Sequence, residues 1–385
     1  MKKTHTTNKI IIILFALVLL LPTIANIFKL ETPLALTERR NKYQLPTSSK
    51  NLKNYISDLE KYYNDHFGLR KEMIISNKTI VDNLFDVEFA SDQVLKGKNN
   101  WLFSAEGENL EDFQGQIQLN KKELDFIVNI LINEWKTISQ KGIKYLFVII
   151  PNKYTIYSEY LPDYIMNNKK INQKTIKEQI VTELKFREPN FPILDITNKI
   201  LKEKQKTNKI LYIPRDTHWN DLGAFIGYQE IIKALDIEPK KLNNFTESTQ
   251  NTDKGDLADI INDYINYTYY TLTPKNKQYE KIKTDITAKT LKKYGFKFNK
   301  SVSLNNIHEF TNLNIKSPKL LMFRDSFALN MFDYLNEHFS RSLYIWMYPC
   351  YINPKFIEQE NFDIVIRQST ERFIPTLLKK CKYKN

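Results

Sequence analysis

From residue 100 onward, short uninterrupted apolar runs alternate with amphipathic stretches, and this alternation most restricts what the chain can become. Leu124, Ile127, Val128, Leu131, Ile132, Trp135 and Ile138 fall on one stripe at helical spacing, and Gly142 ends that helix. The run Tyr145–Ile150 follows at once and reads as a strand buried on both faces. The same reading gives strands at 101–104, Pro192–Ile196, Ile210–Ile213, Lys319–Phe323, Ser342–Trp346 and Asp363–Arg367. It gives helices over 172–187, Leu222–Leu235 (capped by Asn220 or Asp221), Phe327–His338 and after Glu371. Strands alternating with helices in this way predict an α/β domain whose mainly parallel sheet is covered on both faces, in three α/β/α layers. Periodicity fades over 239–318, which reads as an irregular, partly β insertion.

Ahead of this region, Leu52, Tyr55, Ile56, Leu59, Tyr62 and Tyr63 predict an amphipathic helix ending near Asn64, and a second helix is expected over 70–84. Residues 31–50 are polar with two prolines and read as a linker. The first 30 residues carry Lys2, Lys3 and Lys9 before an uncharged stretch from Ile10 to Phe28, about the ~20 residues that span a bilayer. This predicts a transmembrane signal anchor behind a cytoplasmic tip. A cleaved signal peptide cut after Thr23-Ile24-Ala25 is the alternative. Lys29, Arg39, Arg40 and Lys42 follow the segment, so positive charge does not decide its orientation. On either reading the chain after residue 30 is exported; with the anchor kept, residues 51–385 form a domain on the extracytoplasmic side of a single-pass membrane protein.

The formal net charge is +13. Its lysines are scattered among Asn and Ile, without a run of like charge or a nucleic-acid motif, so no nucleic acid is expected as partner. Diffuse attraction to anionic lipid or a cell-surface polymer is the more natural use of such charge. Cys350 and Cys381 make no metal motif. They either pair outside the cell or remain two buried thiols.

Chemistry-bearing residues gather where strands end. KLLMF runs into Arg324-Asp325-Ser326-Phe327, at a strand-to-helix junction. There a hydroxyl meets free backbone N–H groups and the positive end of a helix, the ingredients of an oxyanion hole. A serine in that place is also an ordinary N-cap. ILYI runs into Pro214-Arg215-Asp216-Thr217-His218-Trp219. In extended backbone, residues two apart project to one side, so Asp216 reaches the imidazole of His218 and orients it. Ser326, His218 and Asp216 are therefore the expected catalytic set. A metal pair or a structural hydrogen bond is the competing account of Asp216 and His218, although no third ligand sits at metal-like spacing.

These residues bring a family into view. DSF after a buried strand and DTHW before a helix resemble the permuted SGNH-hydrolase-like domain of the alginate O-acetyltransferase family. Asn64–Arg70 (NDHFGLR), Gly97–Phe103 (GKNNWLF), Pro151-Asn152-Lys153 with Tyr157 and Tyr160-Leu161-Pro162, Gly255–Ala258 (GDLA) and Glu371-Arg372-Phe373 resemble further family segments in the same order. The resemblance covers roughly residues 55–380. It implies Ser326 as nucleophile, His218 as general base and Asp216 as its orienter. It also implies a membrane-bound O-acyltransferase partner as acetyl donor. Two departures stand out: Asn100 replaces the second glycine of the pattern that Gly97–Phe103 resembles, and Arg324 replaces the glycine of the usual GDS motif. Arg324 and Asp325 are accordingly candidates to support an oxyanion. His66 is expected to be structural and His308 and His338 to pack or lie at the surface. Arg372 either neutralises Glu371 or supports the site. Tyr264, Tyr267, Tyr269 and Tyr270 either stack on sugars or belong to a strand.

Three functions fit. The first is an O-acetyltransferase acting on an exported or cell-surface polysaccharide through an acetyl-serine, without a cofactor. The second is an esterase with the same triad. The third is a non-catalytic glycan-binding or assembly protein on the same fold.

Overall fold

A computed structural model describes residues 52–69, 93–296, 306–316, 318–346 and 349–382, with short pieces at 15–16, 20–25, 28, 43–46, 73 and 91. The expected anchor at 10–28, the linker and the second helix at 70–84 lie largely outside the described residues. Among the described residues no helix is long and apolar enough to cross a membrane.

The chain divides into two compact units, residues 1–91 with 259–263, and the remainder. In the first, α1 (Leu52–His66) confirms the N-terminal periodicity. His66 Nδ1 bonds to the Tyr62 carbonyl at 2.9 Å and its ring stacks on Tyr62, as a structural histidine would.

The second unit holds a sheet in the order β4-β3-β11-β9-β10-β8-β7. The strands are β3 (Lys144–Ile150), β4 (Ile193–Asp195), β7 (Glu280–Ile282), β8 (Ile307–Thr311), β9 (Lys319–Arg324), β10 (Arg341–Trp346) and β11 (Ile364–Thr370). From β4 to β10 neighbours run parallel, whereas β8 and β7 add antiparallel. The sheet is thus mixed. The segment 239–318 does not lie outside it, because its end supplies β7 and β8. Short or exposed strands of this kind carry no continuous apolar run; the β7 residues are all exposed. The rest of that segment includes a separate antiparallel hairpin, β5 (Phe245–Thr252) with β6 (Tyr267–Pro274). A further small hairpin pairs β1 (Val94–Lys96) with β2 (Leu102–Ser104).

Strand period sorts the two faces. Leu146, Val148, Ile150, Leu320, Met322, Ile364 and Ile366 belong to one core, together with Ile200 of α4 (Thr197–Lys206) and the apolar residues of α5 (Asp221–Ala234). Tyr145, Phe147, Ile149, Leu321, Phe323 and Val365 belong to the other. There they meet α2 (Lys121–Ser139), α3 (Ile176–Arg187) and α6 (Ile374–Lys382). The layers are those the alternation predicts. Two elements differ. Ile210–Ile213 joins no sheet; Tyr212 makes an isolated antiparallel bridge with Trp219, so the segment turns back on itself. Residues 326–335 form a 3₁₀ turn (Ser326–Met331) followed by one short α turn (Phe332–Leu335), not a single helix. Cys350 and Cys381 are joined as a disulfide that ties α6 to the segment after β10.

One polar cluster is sealed in the second core. Arg367 donates to Glu134 from Nε at 2.8 Å and Nη2 at 2.5 Å, Tyr145 Oη donates to the same carboxylate at 2.8 Å, and Nη2 also reaches the Pro349 carbonyl. Removing one partner of such a pair strands a buried charge. Glu134→Ala is therefore expected to cost about 3–5 kcal/mol, read from the denaturant midpoint. Glu134→Leu combined with Arg367→Met is expected to recover most of that loss.

Candidate active site

β3, β9 and β11 end on the same side of the sheet, and the turns that follow them supply Asn152-Lys153, Asp325-Ser326 and Glu371-Arg372. Sites collect beyond the carboxyl ends of parallel strands because helix-start N–H groups and polar turn residues converge there.

The serine turn is held from below. Asp325, fully buried, accepts from the Phe327 amide (2.9 Å) and Gln368 Nε2 (2.9 Å) through Oδ1 and from the Thr370 amide (2.6 Å) through Oδ2. Asp325 is thus the cap of the 3₁₀ turn, which leaves the Ser326 hydroxyl free to face outward. The wholly buried guanidinium of Arg324 lies over the rings of Phe332 and Trp346 at 5.3 and 5.2 Å and donates to the Asp325 carbonyl. The cation expected beside the serine is thus packed in the core. The even-numbered positions of β9 face that side, because strand side chains alternate.

Asp216 and His218 come from the loop between α4 and α5. The Ile213 amide donates to the His218 carbonyl (3.0 Å) and the Asn220 amide to that of Leu211 (3.0 Å), closing a small hairpin with Asp216 at its tip. The pair is therefore aligned by a turn, not by extended backbone: the His218 amide donates to Asp216 Oδ1 at 2.9 Å, an Asx-type contact across two residues. Asn220 then caps α5, its Oδ1 accepting from Gly223 at 3.0 Å. Gly223 is required there, since a Cβ would come within 2.3 Å of the Leu211 carbonyl oxygen.

The three expected residues converge. His218 Nδ1 donates to Asp216 Oδ1 at 2.7 Å, and Ser326 Oγ lies 2.7 Å from His218 Nε2. An ionised Asp216 only accepts, so the proton is on Nδ1 and Nε2 is left to receive one from serine. Burial opposes ionisation of Asp216. The hydrogen bond and charge of His218, with the amides of Asp256 and His218, outweigh it and hold the carboxyl well below its ordinary value. Trp219 Nε1 donates to the Phe327 carbonyl at 2.9 Å, and His218 sits 4.9 Å from the Phe327 ring, so the two loops are locked together.

Two residues that sequence reasoning did not place at the site hold the loop. Lys153, buried, donates from Nζ to the carbonyls of Ile213 (3.1 Å), Pro214 (2.9 Å) and Asp216 (2.6 Å). Burial lowers its pKa to about 7, against the pull of Asp216 and Asp256. Asp256 accepts from the Thr217 amide (2.6 Å) and hydroxyl (2.5 Å), and its own amide donates to Asp216 Oδ2 at 2.8 Å. Asp216, His218 and Asp256 offer ligand atoms within 4.8 Å of one another, so the third possible ligand, absent from the local sequence, comes from 40 residues away. Nδ1 and the carboxylate oxygens are engaged with each other and with loop donors, an arrangement suited to orienting an imidazole more than to ligating an ion.

The remaining candidates also find places. Arg372 Nη2 donates to Thr217 Oγ1 at 3.3 Å and its guanidinium lies over Phe327 at 5.2 Å, so it supports the loop. Glu371 pairs instead with Lys177 at 2.5 Å and accepts from the Asn152 amide. His338 bonds Tyr228 Oη at 2.6 Å, and burial lowers it and His308 to about 4. Tyr270 packs against the core, while Tyr267 and Tyr269 share the other face of β6 with ring centroids 6.2 Å apart; Tyr264 is exposed. Asn100, in place of the family's glycine, sits at φ 62°, a left-handed conformation that Asn tolerates, and its carbonyl accepts from Arg215.

The sequence profile of the family described as "SGNH hydrolase-like domain, acetyltransferase AlgX" matches residues 94–295. The chain belongs to this family. It is also 24% identical over 176 residues to a probable alginate O-acetylase AlgJ of Pseudomonas putida, a match spanning 45% of this chain and 41% of that relative. In fold it is similar to PatB1 of Bacillus cereus (TM-score 0.51, 15% identity, 73% of this chain and 96% of that one). It is likewise similar to a DHHW family protein of Eubacterium siraeum (TM-score 0.51, 15% identity, 75% and 96%).

Lys153→Met is expected to leave the Asp216 carbonyl without its donor, at about 1–3 kcal/mol if it stays buried and unsatisfied, while the Ile213 and Pro214 carbonyls keep the amides of Asp216 and Leu102. A lower thermal midpoint, with a fall in any Ser326-dependent ester hydrolysis, checks this.

Proposed function

We infer that the protein is a serine-dependent O-acetyltransferase acting on an exported or cell-surface polysaccharide. The continuous Asp216–His218–Ser326 hydrogen-bond line carries this reading. Family membership supplies the reaction class.

In the first half-reaction Ser326 Oγ attacks the acetyl carbonyl of the donor while its proton passes to His218 Nε2. The Oγ–C bond forms and the carbonyl electrons move to oxygen. The first amides of a helix-like turn have no partner inside it. That of Phe327 is occupied by Asp325, so the amide of Ser326 is the one placed to meet the oxyanion. The carbonyl reforms, the donor's leaving oxygen departs with the proton from Nε2, and an acetyl-serine remains. In the second half a sugar hydroxyl gives its proton to Nε2 and attacks the acetyl carbon, and Ser326 leaves with that proton. Asp216 holds the imidazolium that forms twice in the cycle.

The polymer and the donor are read from kinship and from the N-terminus. A membrane-bound O-acyltransferase would deliver the acetyl group, and the apolar segment at 10–28 would hold the catalytic domain beside it, on the extracytoplasmic side. The Cys350–Cys381 disulfide suits an oxidising compartment. With water in place of the sugar the same steps give an esterase, and nothing at the triad favours one acceptor over the other.

One structure of PatB1 carries a sulfonyl adduct. For this chain, a sulfonyl fluoride is expected to label Ser326, with fluoride as leaving group, as read by peptide mass spectrometry. Ser326→Ala is expected to abolish labelling and to lower acetyl-ester turnover by roughly 10³-fold or more. Loss of acetyl groups from surface glycans of Ser326→Ala cells would support transfer; unchanged glycan acetylation would reject it.

A further inference from the structure

The imidazole of His218 has a second anion beside it that the triad does not use. Asp256 Oδ2 lies 3.6 Å from His218 Nδ1, and Thr217 Oγ1 stands beside both, 3.2 Å from Nδ1 and 2.5 Å from Asp256 Oδ2. Asp256 also closes a ring of contacts with the loop. Its carboxylate takes the amide and hydroxyl of Thr217, while its amide goes to the Asp216 oxygen that does not meet His218. The ring is held from outside by the Ala258 amide, which donates to the Arg215 carbonyl at 3.2 Å. Gly255 makes this approach feasible, because a Cβ there would lie 2.3 Å from that same carbonyl oxygen.

We propose that Asp256 is a positioning residue of the triad, fixing the Asp216–Thr217–His218 turn and adding a second negative charge against the Nδ1 edge of the imidazole. The proposal rests on the reading of Ser326, His218 and Asp216 as the catalytic set. Two functions are combined in one side chain. The hydrogen bonds to Thr217 set where the ring sits, and the charge favours the imidazolium that forms each time Nε2 receives a proton. Thr217 links them, since its hydroxyl donates to Asp256 and can accept from Nδ1. Burial and the neighbouring Asp216 raise the proton affinity of Asp256, whereas the charge of His218 and the Thr217 hydrogen bonds oppose that rise. The other charged and titratable groups around this centre are Asp216, Lys153, Arg215, Arg372 and Tyr267.

The two roles separate by substitution. Asp256→Asn keeps the backbone donor to Asp216 and an oxygen for the Thr217 amide; it removes the charge and turns the atom facing the Thr217 hydroxyl from an acceptor into a donor. Asp256→Ala removes the brace as well, and Asp256→Glu restores the charge. Hydrolysis of 4-nitrophenyl acetate is followed against pH for each, with the full chain and with Ser326→Ala as reference. Asp256→Ala is expected to lower kcat/KM on the order of 10²-fold, as misplacement of a catalytic group does. Asp256→Asn is expected to move the acid limb of kcat/KM to lower pH by about one unit, as loss of a nearby opposite charge does. Asp256→Glu is expected to return the limb toward its original position. A slower Asp256→Asn enzyme with an unmoved limb, or one identical to the parent, would overturn the proposal. If Asp256→Asn does not fold, Thr217→Val takes its place, cutting the contacts of the hydroxyl to Asp256, His218 and Arg372 while keeping the Asp256 charge; an unchanged rate there would overturn the proposal equally. Should Ser326→Ala itself hydrolyse the ester at the parental rate, the triad reading fails first, which distinguishes the two outcomes.

Discussion

Every part of the site depends on one carboxylate, that of Asp216. It accepts three N–H groups: the amide of His218, the ring Nδ1–H of the same residue and the amide of Asp256. A buried carboxylate is costly unless such donors surround it, and once they do it fixes the geometry of whatever supplies them. Here it fixes a turn, a ring and a second loop at once. The imidazole has one orientation in which both of its nitrogens are satisfied, and that orientation points Nε2 at Ser326.

The scaffold around this carboxylate is built to resist movement. Lys153 gathers three carbonyls of the loop under one ammonium, Trp219 bonds across to the turn that carries Ser326, and Asp325 anchors that turn to the end of β11. Lys153, Asp325 and the Thr370 amide come from the ends of β3, β9 and β11, parallel neighbours in the sheet. Side chains rooted at adjacent strand ends keep their spacing because the sheet's hydrogen-bond ladder sets it. The acceptor side, by contrast, is not defined by the triad. In the proposed mechanism, transfer to a sugar and transfer to water share every step at Ser326 and differ only in which hydroxyl approaches.

Some of this was legible in the linear chain. The apolar runs at Tyr145–Ile150, Lys319–Phe323 and Asp363–Arg367 announced buried parallel strands, and each is a strand in the structure. The Asp216–His218 pair was legible because its members are two residues apart, although a turn aligns them and not a strand. The strands β7 and β8 were not legible, because the edge strand β7 is exposed throughout and His308 and Glu309 break the apolar run of β8. Asp256 could have been suspected from its place in the GDLA segment. Lys153 similarly lay within a recognised stretch, but nothing local says that its ammonium will be buried against carbonyls 60 residues away.

By itself the sequence determined the layered α/β class, the strands that end at the site and the serine, histidine and aspartate proposed as a triad. Those properties follow from period and composition, which are local. Tertiary structure alone decided that Ser326 meets His218, that Cys350 pairs with Cys381, that Asp256 joins the imidazole and that Arg324 turns into the core. Each of these is a contact between segments far apart in the chain. Such contacts depend on which strand lies beside which, and spacing along the chain does not encode that order.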